Sequence, residues 1–70
     1  MSQWYLYIIE KNNKLYTGIT SDLENRLRQH GNPELIYSEE RLDKFIAAKR
    51  EKEIKGWNKS KKLALAHLKK

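Results

Sequence analysis

Two neighbouring strand signals near the amino terminus constrain the fold more than any other feature of the sequence. Trp4–Ile9 is an uninterrupted run of aromatic, leucine and isoleucine residues, which is typical of a β-strand. A polar turn with two consecutive asparagines follows, and Lys14–Ile19 then has the composition of a second strand. The two runs predict an antiparallel hairpin. Since side chains alternate between the faces of a strand, Tyr16 and Gly18 share one face, and whether Tyr7 shares it depends on the register.

A helix is predicted directly after the hairpin. Ser21 and Glu24 have the spacing of a capping box, in which a serine caps the first turn and a glutamate three residues later reaches back to it. Gly31–Pro33 is expected to end the helix after about His30. Arg26 lies four residues before His30, so both side chains lie on one helical surface, at the margin between core and solvent.

The second half of the sequence predicts one more strand and two more helices. Glu34–Tyr37 is short and apolar enough for a third strand, and Ser38–Arg41 resembles a helix start, because acidic residues favour the positive end of a helix. Gly56 is predicted to end that helix, and Asn58 to cap a last one. We therefore expect residues 1–70 to form one α+β domain with the order ββαβαα.

The longer of these two helices has two apolar stripes at helical spacing. The first stripe comprises Leu42, Phe45, Ile46 and Lys49, and the second comprises Ala47, Glu51 and Ile54. The pattern predicts either a helix that is covered on two faces or a bend near its middle.

The charge of the chain is unevenly distributed. Fifteen Lys and Arg residues against nine Asp and Glu residues give a formal net charge of +6. Residues 1–40 hold four basic and six acidic side chains, a charge of −2, whereas residues 41–70 hold eleven basic and three acidic ones, a charge of +8. A basic half indicates a polyanionic partner such as nucleic acid, which gains affinity when phosphate counterions are released. A lysine surface that only keeps the protein soluble is the alternative.

Composition also indicates the cellular compartment of the protein. The chain has no cysteine, which excludes disulfides and thiolate metal sites and suits a reducing environment. The longest apolar run has six residues, Trp4–Ile9, whereas a membrane helix needs roughly 20, and Met1–Gln3 lacks the basic start of a signal peptide. We expect a soluble cytoplasmic protein with no membrane partner.

Common enzyme constellations are missing, which leaves few candidates for chemistry. The three scattered glycines form no phosphate-binding loop, and two histidines without cysteine cannot make a typical zinc site. What remains is the aromatic hairpin, Arg26 and His30 on the next helix, and the carboxylate of Glu51 in a basic helix. These groups suit phosphodiester cleavage, which needs a base or a positioned water, a cation near the phosphate and usually a divalent metal. A single carboxylate can hold Mg²⁺ when phosphate oxygens and waters complete its coordination.

In order along the chain, the candidate motifs are Tyr5-Leu6-Tyr7, Tyr16-Thr17-Gly18, Asp22-Leu23 with Arg26-Leu27 and His30, and Arg50-Glu51 before Ile54-Lys55-Gly56-Trp57. Together they resemble the GIY-YIG nuclease domain, and most of all its small stand-alone bacterial members. The resemblance extends from Trp4 to about Ala66. It implies a small antiparallel three-stranded sheet flanked by helices, and a nuclease site with one metal ion.

The resemblance also assigns roles to individual residues. Tyr7 would be a general base, and Tyr16 would position water or the metal shell. Arg26 would bind the scissile phosphate, and His30 would polarise Tyr7 or accept a proton from it. Glu51 would ligate a single Mg²⁺ or Mn²⁺ ion.

Further residues are candidates for binding the nucleic acid, which we expect to be DNA. Gly18 closes the second tyrosine motif, and the basic residues of the carboxyl-terminal half would contact the backbone. The candidate lysines are Lys55, Lys59, Lys61 and Lys62.

The chain departs from the family pattern at three points. Tyr5 stands where the family name has glycine, and Thr17 replaces the central isoleucine of the second motif. Twenty residues separate His30 from Glu51, where related proteins typically have a longer basic and aromatic segment.

Each candidate also has an ordinary structural interpretation. The tyrosines suit a half-buried sheet, His30 could satisfy carbonyls at a helix end, and Glu51 could form a surface ion pair. Three functions therefore stay open: a metal-dependent endonuclease, a noncatalytic nucleic-acid-binding module, and a protein-interaction or lipid-surface domain that uses the basic terminal helix.

Overall fold

The computed structural model describes residues 3–68, and its element order confirms the predicted ββαβαα arrangement. Three antiparallel strands form one sheet in the spatial order β2-β1-β3. Met1, Ser2, Lys69 and Lys70 lie outside the described residues. The elements are β1 (Trp4–Lys11), β2 (Lys14–Thr20), α1 (Leu23–Gln29), β3 (Glu34–Arg41), α2 (Lys44–Lys55) and α3 (Lys59–Leu68).

The hairpin turn consists of Asn12 and Asn13, which have φ values of 53° and 65°. Asparagine tolerates this left-handed region better than most residues, and a two-residue turn of this kind matches the twist of the strands it joins. The turn fixes the register, which pairs Tyr7 with Gly18 and Ile9 with Tyr16. Directly paired residues lie on the same face of a sheet, so Tyr7, Tyr16 and Gly18 share one face.

The main core lies on the other face of the sheet. Leu6 and Ile8 of β1 form a buried cluster with Tyr37 of β3 and Ile54 of α2. The partly buried residues around this cluster are Leu15, Ile19, Ile36, Trp57, Leu65 and Ala66. Helix α2 therefore covers the face opposite to the one that carries Tyr7.

Helix α1 and its N-cap both lie one residue later than predicted. Asp22, not Ser21, is the N-cap, and its carboxylate accepts a hydrogen bond from the Asn25 amide at 3.1 Å. Both residue types cap well, but Thr20 is engaged with Asp22 through its hydroxyl, which accepts from the Asp22 amide at 3.0 Å. This turn places Asp22 at the start of the helix.

The third strand is longer than its apolar residues indicated. It runs through Arg41, so the predicted helix start at Ser38–Arg41 is wrong, and α2 begins at Lys44 with Asp43 as its N-cap. Asp43 accepts from the Ile46 amide at 2.9 Å. The acidic residues that suggested a helix start extend the strand because Glu39 is buried against cationic partners from α2 and β3.

Only one of the two apolar stripes of α2 is buried. Ala47 and Ile54 have no exposed surface, whereas Leu42 is 80% exposed and Phe45 is 85% exposed. The prediction that α2 is covered on two faces is wrong, because the residues of its first stripe are exposed. Among the described residues, no helix is long and apolar enough to cross a membrane.

Candidate functional site

The side chain of Tyr7 lies directly over Gly18. Tyr7 is only 5% exposed, and a β-carbon added to Gly18 would lie 2.5 Å from the Tyr7 hydroxyl oxygen and 2.7 Å from its Cζ. These separations are well inside the 3.5–4.0 Å at which carbon atoms attract each other best. Glycine at position 18 therefore makes the space that the tyrosine ring occupies.

His30 connects this tyrosine to helix α1. It is the C-cap of α1, and its ring centroid lies 6.3 Å from that of Tyr7, with an angle of 59° between the ring planes. This tilted arrangement is within the range of favourable aromatic pairs. The contact between Tyr7 and His30 attaches the end of α1 to the tyrosine face of the sheet.

An open groove of about 330 Å³ adjoins these residues. Lys11, Asn12, Tyr16 and His30 line it, and Tyr16 is 46% exposed there. The groove thus brings Tyr16 and His30 together beside the buried Tyr7. Sequence reasoning missed Lys11 and Asn12. Lys11 lies four residues after Tyr7 on β1, and Asn12 lies in the hairpin turn, so their place at the end of the hairpin that carries Tyr16 could have indicated them.

Arg26 lies one helical turn before His30 and is exposed. The His30 amide donates to the Arg26 carbonyl at 3.2 Å, which fixes the relative position of the two residues along α1. Within residues 3–68, the Arg26 guanidinium makes no hydrogen bond or ion pair, whereas Arg28 on the same helix pairs with Glu24 at 2.9 Å. The Arg26 side chain is therefore available to bind an anion.

Glu51 lies on α2, between the buried residues Ala47 and Ile54. Its side chain is 22% exposed, and its carboxylate is 3.4 Å from the Lys55 ammonium. In the described part of the chain, no hydrogen bond or ion pair joins Glu51 to Tyr7, Tyr16, Arg26 or His30. The structure therefore groups the tyrosines, Gly18 and His30, and it places Glu51 on the helix that covers the other face.

The donor set limits which metal ion could bind. Residues 3–68 contain no group of three or more His, Asp or Glu side chains that could hold an ion. Mg²⁺ is commonly bound through one or two carboxylates, with waters and substrate phosphates as the other ligands. The partly exposed carboxylate of Glu51 fits that chemistry, and a site built wholly from protein ligands does not.

Three of the four candidate lysines already have intramolecular contacts. Lys55 pairs with Glu51, Lys59 donates from Nζ to the Asn13 carbonyl at 3.3 Å, and Lys61 places Nζ 4.4 Å from the centre of the Trp57 ring. Such exposed contacts are weak and exchange readily for phosphate contacts. Lys62 is half-buried.

A buried carboxylate on β3 was missed altogether. Glu39 is 5% exposed and accepts hydrogen bonds from the Tyr37 hydroxyl at 2.5 Å and from Arg50 Nε at 3.1 Å. It also pairs with Arg41. Burial, together with the hydrogen bond to Glu39, raises the pKa of Tyr37, so the phenol is neutral when it donates.

Arg50 joins this carboxylate to the rest of the fold. Its guanidinium also pairs with Glu53 on α2 and lies 5.5 Å from the centre of the Trp57 ring. Burial by itself would lower the pKa of Arg50, but the charge of Glu39 and the contacts with Glu53 outweigh it and raise the pKa. Arg50 is therefore a permanent cation, held by groups from β3, α2 and the loop after α2.

Comparison with known proteins relates the chain to the GIY-YIG catalytic domain. The family sequence model of the GIY-YIG catalytic domain matches residues 3–34, which span the hairpin and α1. The chain is 37% identical over 78 aligned residues to the UPF0213 protein SSP2268 of Staphylococcus saprophyticus, covering 93% of this chain and 95% of that protein. A match of 61% identity to the UPF0213 protein YhbQ of Escherichia coli O8 spans 31 residues, 43% of this chain and 31% of YhbQ.

A solved structure has the same fold. The solution NMR structure of the UPF0213 protein BH0048 from Bacillus halodurans superimposes with a TM-score of 0.68 and 29% sequence identity, covering 96% of this chain and 85% of that one. Its match supports the three-stranded sheet and the three helices as a shared arrangement.

Proposed function

Because this chain belongs to the UPF0213 family of GIY-YIG domain proteins, we propose that it is a metal-dependent endonuclease that hydrolyses phosphodiester bonds in DNA. One observation carries the proposal: the Tyr7 hydroxyl is packed over Gly18 and beside His30, next to a groove that Tyr16 shares. A phenol, an imidazole and an open groove together provide a place for water and phosphate next to a proton acceptor.

Tyr7 would act as the general base. The groove beside it contains Lys11 and His30, and Arg26 lies one helical turn before His30 on α1. His30 would polarise Tyr7 or accept its proton.

Arg26 would bind the scissile phosphate. Its guanidinium is unpaired within residues 3–68 and can donate two parallel hydrogen bonds to phosphate oxygens. Tyr16, exposed in the groove, would orient the attacking water. These two contacts would hold water and phosphate near the Tyr7 hydroxyl, and positioning of this kind is a large part of phosphodiester catalysis.

Glu51 would hold one Mg²⁺ or Mn²⁺ ion through its carboxylate. When bound, such an ion stabilises the charge that develops on phosphate oxygens. Lys55 pairs with the same carboxylate at 3.4 Å, and it would contact the DNA backbone together with Lys59, Lys61 and Lys62.

A plasmid nicking assay tests the proposal. Supercoiled DNA is incubated with the full chain in Mg²⁺ or in EDTA, and relaxed product is quantified. We expect nicking in Mg²⁺ only, and a loss of at least 100-fold in Arg26→Ala and Glu51→Gln. Arg28→Ala and Lys52→Ala are matched controls on the same two helices, at exposed positions outside the proposed site, and should retain activity. Nicking that is equal in EDTA, or unchanged in Glu51→Gln, would refute the assignment of the metal ligand.

A noncatalytic nucleic-acid-binding module is the second candidate. The ion pair between Glu51 and Lys55 favours it, because a carboxylate that only neutralises a lysine needs no metal. This function predicts DNA binding that weakens steeply with salt, that does not change in Glu51→Gln, and that is never accompanied by nicking. The same nicking assay, paired with fluorescence anisotropy of a labelled duplex, separates the two candidates.

A further inference from the structure

Glu39 is a buried charge that the proposed chemistry does not use. It lies on β3 with 5% exposure, on the face of the sheet opposite to Tyr7. Burying a carboxylate is costly unless it is paired and hydrogen-bonded. Here the Tyr37 hydroxyl donates to Glu39, and Arg41 on the same strand and Arg50 on α2 pair with it, which offsets the cost of burying the charge.

Arg50 makes the long-range contact in this group. Glu39 and Arg50 are eleven residues apart and belong to β3 and α2. The planar guanidinium has donors in a fixed arrangement. One side bonds Glu39, another nitrogen bonds Glu53, and the plane lies near the Trp57 ring. Of these contacts, the one with Glu39 ties α2 to the sheet, while Glu53 on α2 and Trp57 just after it fix the orientation of the guanidinium.

Glu51 is the next residue on the same helix. Consecutive residues of an α-helix are separated by about 100° of rotation and 1.5 Å of rise. Holding Arg50 therefore also sets the direction and the height at which Glu51 leaves the helix. Ala47 and Ile54, which have no exposed surface, lie about one turn before and one turn after Glu51 and hold this part of the helix against the sheet.

We propose that the Glu39–Arg50 pair is a positioning device, which holds α2 so that the Glu51 carboxylate meets the metal ion. Arg50 and Glu39 are positioning residues and touch neither metal nor substrate. The inference rests on the proposed role of Glu51 as the metal ligand. It assigns a function to a buried ion pair that stability alone does not require, since such pairs often stabilise no better than apolar residues of similar volume.

Mn²⁺ affinity gives a readout that does not depend on turnover. The full chain carrying Tyr7→Phe, which we expect to prevent cleavage, is bound to a short DNA duplex and titrated with Mn²⁺, and free Mn²⁺ is measured by electron paramagnetic resonance. Glu51→Gln in the same background defines the binding that belongs to DNA alone. Thermal unfolding of each variant establishes that it is folded at the assay temperature.

Two variants break the pair and one is a matched control. Glu39→Gln keeps the shape but removes the charge, and Arg50→Lys keeps the charge but loses the planar donors. We expect each to weaken Mn²⁺ binding about tenfold, the lower end of the range for groups that orient metal ligands. Tyr37→Phe removes a different hydrogen bond of Glu39 and should lower thermal stability without changing Mn²⁺ affinity.

The outcomes separate this inference from the proposed function. If folded Glu39→Gln and Arg50→Lys bind Mn²⁺ as tightly as the parent, the positioning role is overturned while Glu51 keeps its own. An equal loss in Tyr37→Phe overturns it too, because general loosening of the fold then explains the effect. If Glu51→Gln binds Mn²⁺ like the parent, Glu51 is not the ligand, and both proposals are overturned.

Discussion

Replacing Gly18 with alanine would place a methyl group 2.5 Å from the Tyr7 hydroxyl oxygen and 2.7 Å from its Cζ. The ring cannot simply swing away, because Tyr7 is buried and packs against His30. Forcing an extra methyl group into a packed site typically costs about 1–3 kcal/mol. Gly18 has no positive φ, so alanine also gains about 0.4–1 kcal/mol by restricting the unfolded chain.

The steric cost is the larger of the two effects. We expect Gly18→Ala to lower the free energy of unfolding by about 1–2 kcal/mol. For a domain of this size, each kcal/mol lowers Tm by about 4–8 °C. The measurements are urea and thermal unfolding of the full chain, followed by circular dichroism. DNA nicking measured at a temperature where both proteins are folded should fall as well, because the methyl group displaces the Tyr7 hydroxyl.

A double-mutant cycle identifies the clash as the cause. Tyr7→Phe removes the oxygen at 2.5 Å but leaves Cζ at 2.7 Å, so Gly18→Ala should cost less, though still something, in that background. If Gly18→Ala is as stable as the parent and nicks DNA normally, Gly18 does not make room for Tyr7 and the reasoning is refuted. An equal cost in both backgrounds would contradict the role of the hydroxyl.

Three further predictions concern the core and the buried network. Thr17 Oγ1 is buried without a hydrogen-bond partner within residues 3–68, so Thr17→Val should raise the free energy of unfolding by about 1 kcal/mol in a urea titration; a decrease would mean that the hydroxyl is satisfied. Ile54→Ala should lower the free energy of unfolding by about 2–5 kcal/mol, and Phe45→Ser by less than about 0.5 kcal/mol, because only Ile54 is buried. Similar losses for both variants in equilibrium unfolding would place Phe45 in the core. The raised pKa of Tyr37 gives stability that is fully present below pH 10, the pKa of the unfolded phenol, and is lost as the pH rises through the folded pKa. Urea titrations from pH 8 to 11 should therefore show a steeper alkaline loss in the parent than in Tyr37→Phe, and parallel curves would contradict this.

The hairpin was predictable because its signals are local. The aromatic run and the paired asparagines are close in sequence, and turn geometry depends on the residues that form the turn. The register was not predictable, because the composition of the polar stretch 10–13 does not show which two of its residues form the turn. Only the pairing of Tyr7 with Gly18 shows that the two tyrosine motifs share one face.

The errors after α1 have a different physical cause. Glu39 in the middle of a strand contradicts the ordinary preference of charged residues for the surface, and its partner Arg50 follows eleven residues later, on another element. Local patterns cannot show that pair. Periodicity likewise found both stripes of α2 but not which one faces the sheet, since that depends on the packing of Ile54 with Leu6 and Ile8.

The candidate site followed from the resemblance more than from periodicity. Spacing placed Arg26 and His30 on one helical surface, and the structure adds the contact of His30 with Tyr7. The groove residue Lys11 escaped notice because a lysine beside a turn is ordinary in a soluble protein. Lys11 is a candidate site residue because it lines the groove with Tyr16 and His30, and these residues come together only in the folded chain.

The cleavage rate of Tyr7→Phe tests the proposed nuclease activity most directly, because the substitution removes one oxygen atom and leaves the ring packed over Gly18. The measurement is single-turnover cleavage of a labelled DNA duplex in Mg²⁺, with saturating protein whose folding is verified by circular dichroism. General acid–base groups contribute about 10²–10⁴-fold, so the rate should fall by at least 100-fold while DNA affinity stays the same. A rate within threefold of the parent would contradict a catalytic role for the Tyr7 hydroxyl.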